Sequence, residues 1–536
     1  GLPPWAAGDH RDMVGAAYNT KSIEGDDTVN KRQPHMFVTL LTLVLTLAAG
    51  GLRAAQAAEA PADWQVSENV DYELMDDPGI TGDYIHVETD EGIVTLSGIT
   101  RNILAKDRAE KVAAAVKGVR GVINQIDVNA PPRSDDEIQD GIENALLNDA
   151  ATEAWEVQVA VDDGAVTLSG TLDSWQEKQL AVRLAKGVAG VTEVDTDIVI
   201  DYDRTRPDAE IAAEIRAALR WDAYLDDNLV EVVVDNGEVT LDGTVGSLAE
   251  KSRASSKVWV MGVQSVDNSE LEVMYWARDE QLRSDKYVDH SNDEIKEAVN
   301  DALLYDPRVA STAVRVQPDD GYVTLRGTVN NLKAKRAAGR DARNIVGVWH
   351  VENKLKVRPG TPTDERIEEN AEDALVNDPY VERYEIGVTV VDGEVYLSGT
   401  VDSAFEKGQA DDVVARLDGV RAVHNQITVN DTDVTVFEPH VDDWYVYDYD
   451  WYTPWERDNT RSDWQIREDI KREIFWSPFV DTDDVSVKVD DGEATLAGTV
   501  DTWAERRAAR ENALEGGANS VDNDLLVEYG AEAYRP

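Results

Sequence analysis

The chain has 536 residues, 42% of them hydrophobic, with 106 acidic against 52 basic side chains and a formal net charge of -54. It is too long for one ordinary domain, it has enough apolar residues for folded cores, and a surface this acidic repels nucleic-acid phosphates. Cysteine is absent, which excludes disulfides, thiolate nucleophiles and zinc-cysteine clusters.

Residues 1–57 read as a leader. Lys31 and Arg32 precede the apolar run Met36–Gly51, and Ala55 and Ala57 follow in an A-x-A arrangement, the parts of an export signal over 36–57. The run holds about a dozen strongly hydrophobic residues where a stable span needs about 20, so cleavage after Ala57 is expected rather than anchoring. With no Cys after the run, a lipid anchor is not expected. Residues 1–35 lack core periodicity and precede Met36, which is compatible with an over-extended reading frame.

From residue 62 onward one pattern recurs six times. Gly92, Gly164, Gly237, Gly321, Gly393 and Gly492 each have a second glycine six residues on, at Gly98, Gly170, Gly243, Gly327, Gly399 and Gly498. A third follows at Gly118, Gly190, Gly262, Gly347, Gly419 and Gly517. The period is about 70 residues. Ahead of the first glycine, apolar residues at i, i+4, i+7 and i+8, such as Ile138, Ile142, Ala145 and Leu146, predict a helix with one buried face. Asp77-Pro78, Asp306-Pro307 and Asp378-Pro379 stop that helix, because proline disfavours helical geometry in the residue before it.

Period-2 alternation then follows, as at Val230, Val232 and Val234 before the Asp-Asn-Gly turn and Val239 and Leu241 after it. This predicts a hairpin whose turn uses the glycine's positive φ. The second glycine is expected where bulk would clash. Four residues later come capping boxes at Ser174/Glu177, Ser247/Glu250, Ser403/Glu406 and Thr502/Glu505, with Asn102 and Asn331 in the same place, and they predict a second helix. A last strand such as "VENKLKV" completes the order helix, strand, strand, helix, strand.

Two helices can cover only one face of a three-stranded sheet. The fold class is therefore α+β, six tandem αββαβ two-layer sandwiches with a wetter outer sheet face. The units are placed at 62–130, 134–202, 207–275, 291–358, 363–430 and 462–529, with joins at 276–290 and 431–461. The longer joins predict two compact groups and a separated last unit. A unit this size is marginal alone and gains from its neighbours.

With "DGEVYLSGTVDS" from Asp392 and "VRAVHNQITVN" from Val420, the pattern resembles the BON domain, named from bacterial osmotically induced and nodulation proteins. The likeness rests on the G-x-V-x-L-x-G hairpin, the G-V before the last strand, and Asn124, Asn268, Asn353, Asn425 and Asn523 on or near that strand. Thr196 replaces the Asn in unit two, and Ala494 and Ala518 replace valines in unit six; these departures touch packing. The resemblance implies an exported or envelope-associated, non-enzymatic protein that binds phospholipid surfaces or envelope proteins. Six units further imply avidity or a spacer role.

Catalysis finds little support, and neither a catalytic residue nor a cofactor is expected. His10, His35, His86, His290, His350, His424 and His440 occupy different repeat positions, and none sits beside Ser and Asp in a recurring arrangement. Asp162/Asp163 and Asp490/Asp491 precede turn glycines and match turn propensity better than a calcium loop, leaving at most loose divalent cations. The glycines lack the G-K-[ST] ending of a phosphate cradle.

One join stands apart, with Trp444, Tyr445, Tyr447, Tyr449, Trp451, Tyr452 and Trp455 as a candidate interface or a cover for units five and six. Net acidity works against anionic lipid, so lipid contact needs local basic patches, such as Lys333, Lys335 and Arg336 on the second helix of unit four, or bridging cations. The reading is a periplasmic or extracellular array engaging phospholipid or envelope proteins and supporting envelope integrity under osmotic stress. The alternative is a chaperone-like or fibre-forming spacer acting through sheet faces and edges.

Overall fold

The computed structural model describes residues 60–529 and 532–534, apart from 78, 81–83, 150–155, 203–205, 279–289, 310, 359–361, 382–385, 431–460 and 481–484. The leader and the seven aromatic residues from Trp444 to Trp455 lie outside the described residues.

The expected order of elements recurs six times. In unit one a helix (Asp63–Asp76) precedes a hairpin (Tyr84–Asp90 and Ile93–Thr100), a second helix (Ile103–Ala115) and a last strand (Gly121–Val128). The hairpin is antiparallel and the last strand runs parallel to the middle one, so the second helix is a crossover. Each unit has its own core from both helices and one sheet face: Val66, Val70, Val94, Leu96, Val112 and Ile126 in unit one. In unit three the last strand is broken into Ser265–Asp267 and Leu271–Val273, and in unit six the sheet gains a short strand, Glu532–Tyr534.

Local chemistry holds the layers in register. The residue 29 before each turn glycine is Asp63, Asp135, Asp208, Asn292, Asp364 or Asp463. Its side chain accepts from the turn backbone: Asp135 takes the N–H of Asp163 at 3.1 Å and of Gly164 at 3.0 Å. That bond staples the start of the first helix to the hairpin tip. The strand asparagines do the same for the second helix, Asn425 Nδ2 donating to Lys407 O at 2.8 Å while its Oδ1 accepts from Ile427 N. In unit two Thr196 keeps only the second bond, to Ile198 N. Gly170 lies within the middle strand at φ 141°, where a Cβ would meet Glu156 O at 1.9 Å.

The capping boxes of the second helices are corrected by one residue. Ser174 caps Glu177 N, but the Glu177 carboxylate reaches back to Asp173 N, before the cap, and Glu250, Glu406 and Glu505 do likewise. Reciprocal boxes sit instead on first helices, at Ser134/Glu137, Ser291/Glu294 and Ser462/Gln465.

The units pair across local two-folds. The residue 25 after the turn glycine donates its N–H to the carbonyl of the residue 16 before the turn glycine of a partner unit. The bonds are Lys117 to Trp476 at 3.0 Å, Ala189 to Asn377 at 2.6 Å, Asp418 to Asn148 at 3.0 Å and Val346 to Trp221 at 3.0 Å. Unit one therefore docks on six, two on five and three on four, and in the pair of units two and five the bonds run both ways, an isologous contact.

Around the array, the first residue of the second helix enters a neighbour. Ile103 joins the core of unit two, Leu248 packs on that of unit one and Leu332 on that of unit five. Trp175 stacks on Trp259 of unit three at 5.0 Å, and Trp503 meets Trp349 of unit four at 6.1 Å. The expected separated last unit is corrected: unit six also packs on unit three, through Tyr224 and Phe479 at 5.0 Å. Join length set no limit here, because the polar groups at the ends of the first helices find their partners in distant units.

Candidate binding surfaces

The candidate residues read from the sequence separate into structural and exposed sets. The turn glycines all have positive φ. The described histidines occupy four settings: His86 near Glu88, His424 near Glu394, His290 against Trp221 and His350 stacked on Tyr322. Asp490 and Asp491 lie with Asp463 in an exposed three-carboxylate group within 4.8 Å. Both Asp463 oxygens are already taken by the N–H groups of Asp491 and Gly492, the staple found in the other units.

The basic patch is corrected. Lys333 pairs with Asp412, and Arg336 Nη1 lies 2.6 Å from Asp411, so both bind unit four to unit five instead of facing a membrane. Burial drives the Lys333 ammonium down to about 8 against the pull of Asp412. Burial likewise raises Asp411 despite Arg336, whereas at Asp412 burial is overcome by Lys333, Arg336 and Arg416 together and the carboxyl is lowered. Lys335 is half-buried and its backbone carbonyl accepts from Asn353.

What stands open is an aromatic set on the terminal pair. Trp64 is 67% exposed and Trp464 62%, each 28 residues before its turn glycine. The other four units carry Asp136, Ala209, Asp293 and Glu365 there. Met75 and Phe475, also at equivalent positions, are exposed near the far ends of the same helices. These helices meet across the local two-fold, where the Arg472 guanidinium lies 3.7 Å from the Tyr72 ring centre. Helical periodicity alone could not show this set, because Trp64 and Trp464 read as ordinary apolar residues. The available signal was their departure from the repeat consensus. No described helix is long and apolar enough to cross a membrane.

The chain is 33% identical over 143 residues to Osmotically-inducible protein Y of Escherichia coli (strain K12), which covers 25% of this chain and 71% of that one. It is 28% identical over 137 residues to the Outer membrane lipoprotein DolP of Haemophilus influenzae, with the same coverage, 25% and 71%. Among solved structures, the C-terminal domain of CdsD, a structural protein of the type III secretion system of Chlamydia trachomatis, is 17% identical. It covers 42% of this chain and all of that one, with a TM-score of 0.12. The BON domain model matches residues 62–130, 134–202, 207–274, 291–359, 363–431 and 462–529, so the chain belongs to the BON domain family.

Proposed function

We propose that this protein is a non-enzymatic, exported binding array that engages the phospholipid surface of the bacterial envelope and supports envelope integrity under osmotic stress. The observation that carries it is the pair of exposed tryptophans, Trp64 and Trp464, at a helix position where the four inner units carry Asp136, Ala209, Asp293 and Glu365. An indole has an apolar body with a polar N–H and favours the headgroup boundary, and two such anchors on docked units act together. The names of the two relatives, one osmotically inducible and one an outer membrane lipoprotein, point to the same setting.

The first helix of unit six carries Arg467, Lys471 and Arg472 among its acids, whereas that of unit one has no basic residue, so Trp464 is the stronger anchor. Net acidity repels anionic lipid until salt screens it, so binding rises with ionic strength. The test is sedimentation with phosphatidylglycerol-containing vesicles across a salt series, with and without magnesium. The double variant Trp64→Ala/Trp464→Ala is expected to bind about tenfold more weakly with an unchanged unfolding midpoint. No vesicle binding at any salt, or full binding by the double variant, sinks the reading.

A further inference from the structure

Alternate residues of each sheet point away from the two helices that cover its other face. In unit four that outward set turns basic. Arg315, Arg326, Lys354 and Lys356 are exposed, while Val314, Val316, Leu325 and Leu355 between them are buried. Arg315 stands directly opposite Arg326, and Arg326 opposite Lys354, so three positive charges lie abreast across the three strands. No other unit carries lysine or arginine at any of these four positions, in a chain of net charge -54.

Like charges directly opposite one another destabilise a sheet, and the chain does little to relieve these. Lys354 pairs with Glu352 at 2.5 Å, but Arg326 Nε donates to the neutral Gln317 side chain at 3.2 Å. Among the described residues no ion pair uses Arg315 or Lys356.

Unit three carries the opposite charge at the same positions. Glu231 takes the place of Arg315 and Asp242 that of Arg326, again directly opposite each other and exposed. Asp235 and Glu238 make a second like-charged pair at the hairpin end, and Glu272 adds an exposed acid on the last strand. Because the arginines and these acids all stay exposed, the two faces do not meet within one chain.

Two sheets of the same build set their charge rows at the same inter-strand spacing of about 4.8 Å, so the acidic face matches the basic one in sign, width and pitch. The partner that fits the basic face is therefore a second copy of this chain. Three strands make a face only about 14 Å wide, small beside the roughly 800 Å² per partner of a stable interface, which makes the contact weak and reversible.

We propose that this protein self-associates by setting the basic sheet face of unit four on the acidic sheet face of unit three of a second copy. Sedimentation equilibrium of the full chain tests it. At about 0.15 M NaCl the mean mass is expected to rise with protein concentration, with Kd of about 0.1 mM, and a constant mass up to about 0.5 mM overturns the proposal. Association is expected to fall at about 0.01 M salt, where whole-chain repulsion reaches about 30 Å, and again at about 1 M, where the contact itself is screened. A steady rise toward about 1 M marks an apolar contact and overturns the charge assignment.

Arg315→Glu/Arg326→Glu and Glu231→Arg/Asp242→Arg are each expected to associate at least about tenfold more weakly, with unchanged thermal midpoints. An equimolar mixture of the two is expected to regain association, since each supplies the face that the other lacks. Undiminished self-association of either variant alone, or none in the mixture, refutes the pairing. If the arginine variant keeps its self-association and instead loses binding to phosphatidylglycerol vesicles, the face serves lipid and the proposal fails. Should either variant misfold, the concentration and salt series on the unaltered chain still decide.

Discussion

Units two and five, and units three and four, dock through the same position of the same repeat, yet the first pair exchanges that backbone bond in both directions and the second has a cavity beside it. In the first, Asp418 bonds Asn148 and Ala189 bonds Asn377, equivalent contacts in both directions. In the second, Val346 bonds Trp221, and Ala223 N reaches Asn344 O at 2.9 Å. The position equivalent to Ala223 in unit four is Pro307, which has no N–H to return that bond. A repeat can thus keep its docking position while residues at a few positions decide whether its backbone bonds are returned.

The sharpest way to break the comparison is the aspartate 15 residues before the turn glycine, buried in both pairs. Asp306 in unit four is held at about 2: burial opposes the charge, but the Arg308 guanidinium prevails. Asp306→Asn is expected to destabilise the chain by about 3 kcal/mol at pH 7, leaving Arg308 buried without its counter-ion. In the wild type that contribution is present above about pH 4 and fades as pH falls toward 2.

Asp378 in unit five faces Gln409 instead, and burial pushes its carboxyl up to about 6. Here the native state holds its proton more tightly than the unfolded chain, so stability is full below about pH 4 and falls as pH rises through 6. Asp378→Asn is expected to stabilise by about 2 kcal/mol at pH 7.5 and to be neutral at pH 4. Thermal midpoints of both variants across pH check the opposite signs; parallel profiles would erase the distinction.

The smallest effect sharpens the comparison. Asp222 is already extended, with φ -77° and ψ 125°, so Ala223→Pro fits the chain and removes only the N–H to Asn344. A loss of about 1 kcal/mol and faster amide exchange at Val346 are expected. Unchanged exchange would show that this bond does not hold units three and four together.

The sequence by itself determined the unit. Glycine pairs six residues apart demand a hairpin, since Gly170 has no room for a Cβ, and the spacing of Ile138, Ile142 and Leu146 demands a helix over it. Those signals are local, set by backbone sterics and by which face of an element is apolar. The staple from Asp135 to its turn recurs at a constant spacing of 29 residues, but it took the fold to show that this side chain meets the turn backbone.

Only the tertiary structure decided which unit meets which, that Lys333 and Arg336 are spent on Asp412 and Asp411, and that Trp64 and Trp464 stay outside. Those outcomes depend on hydrogen bonds and ion pairs between residues far apart in sequence. A lysine bound for an interface and one bound for solvent read alike along the chain, because only the neighbour that folds against it removes its water.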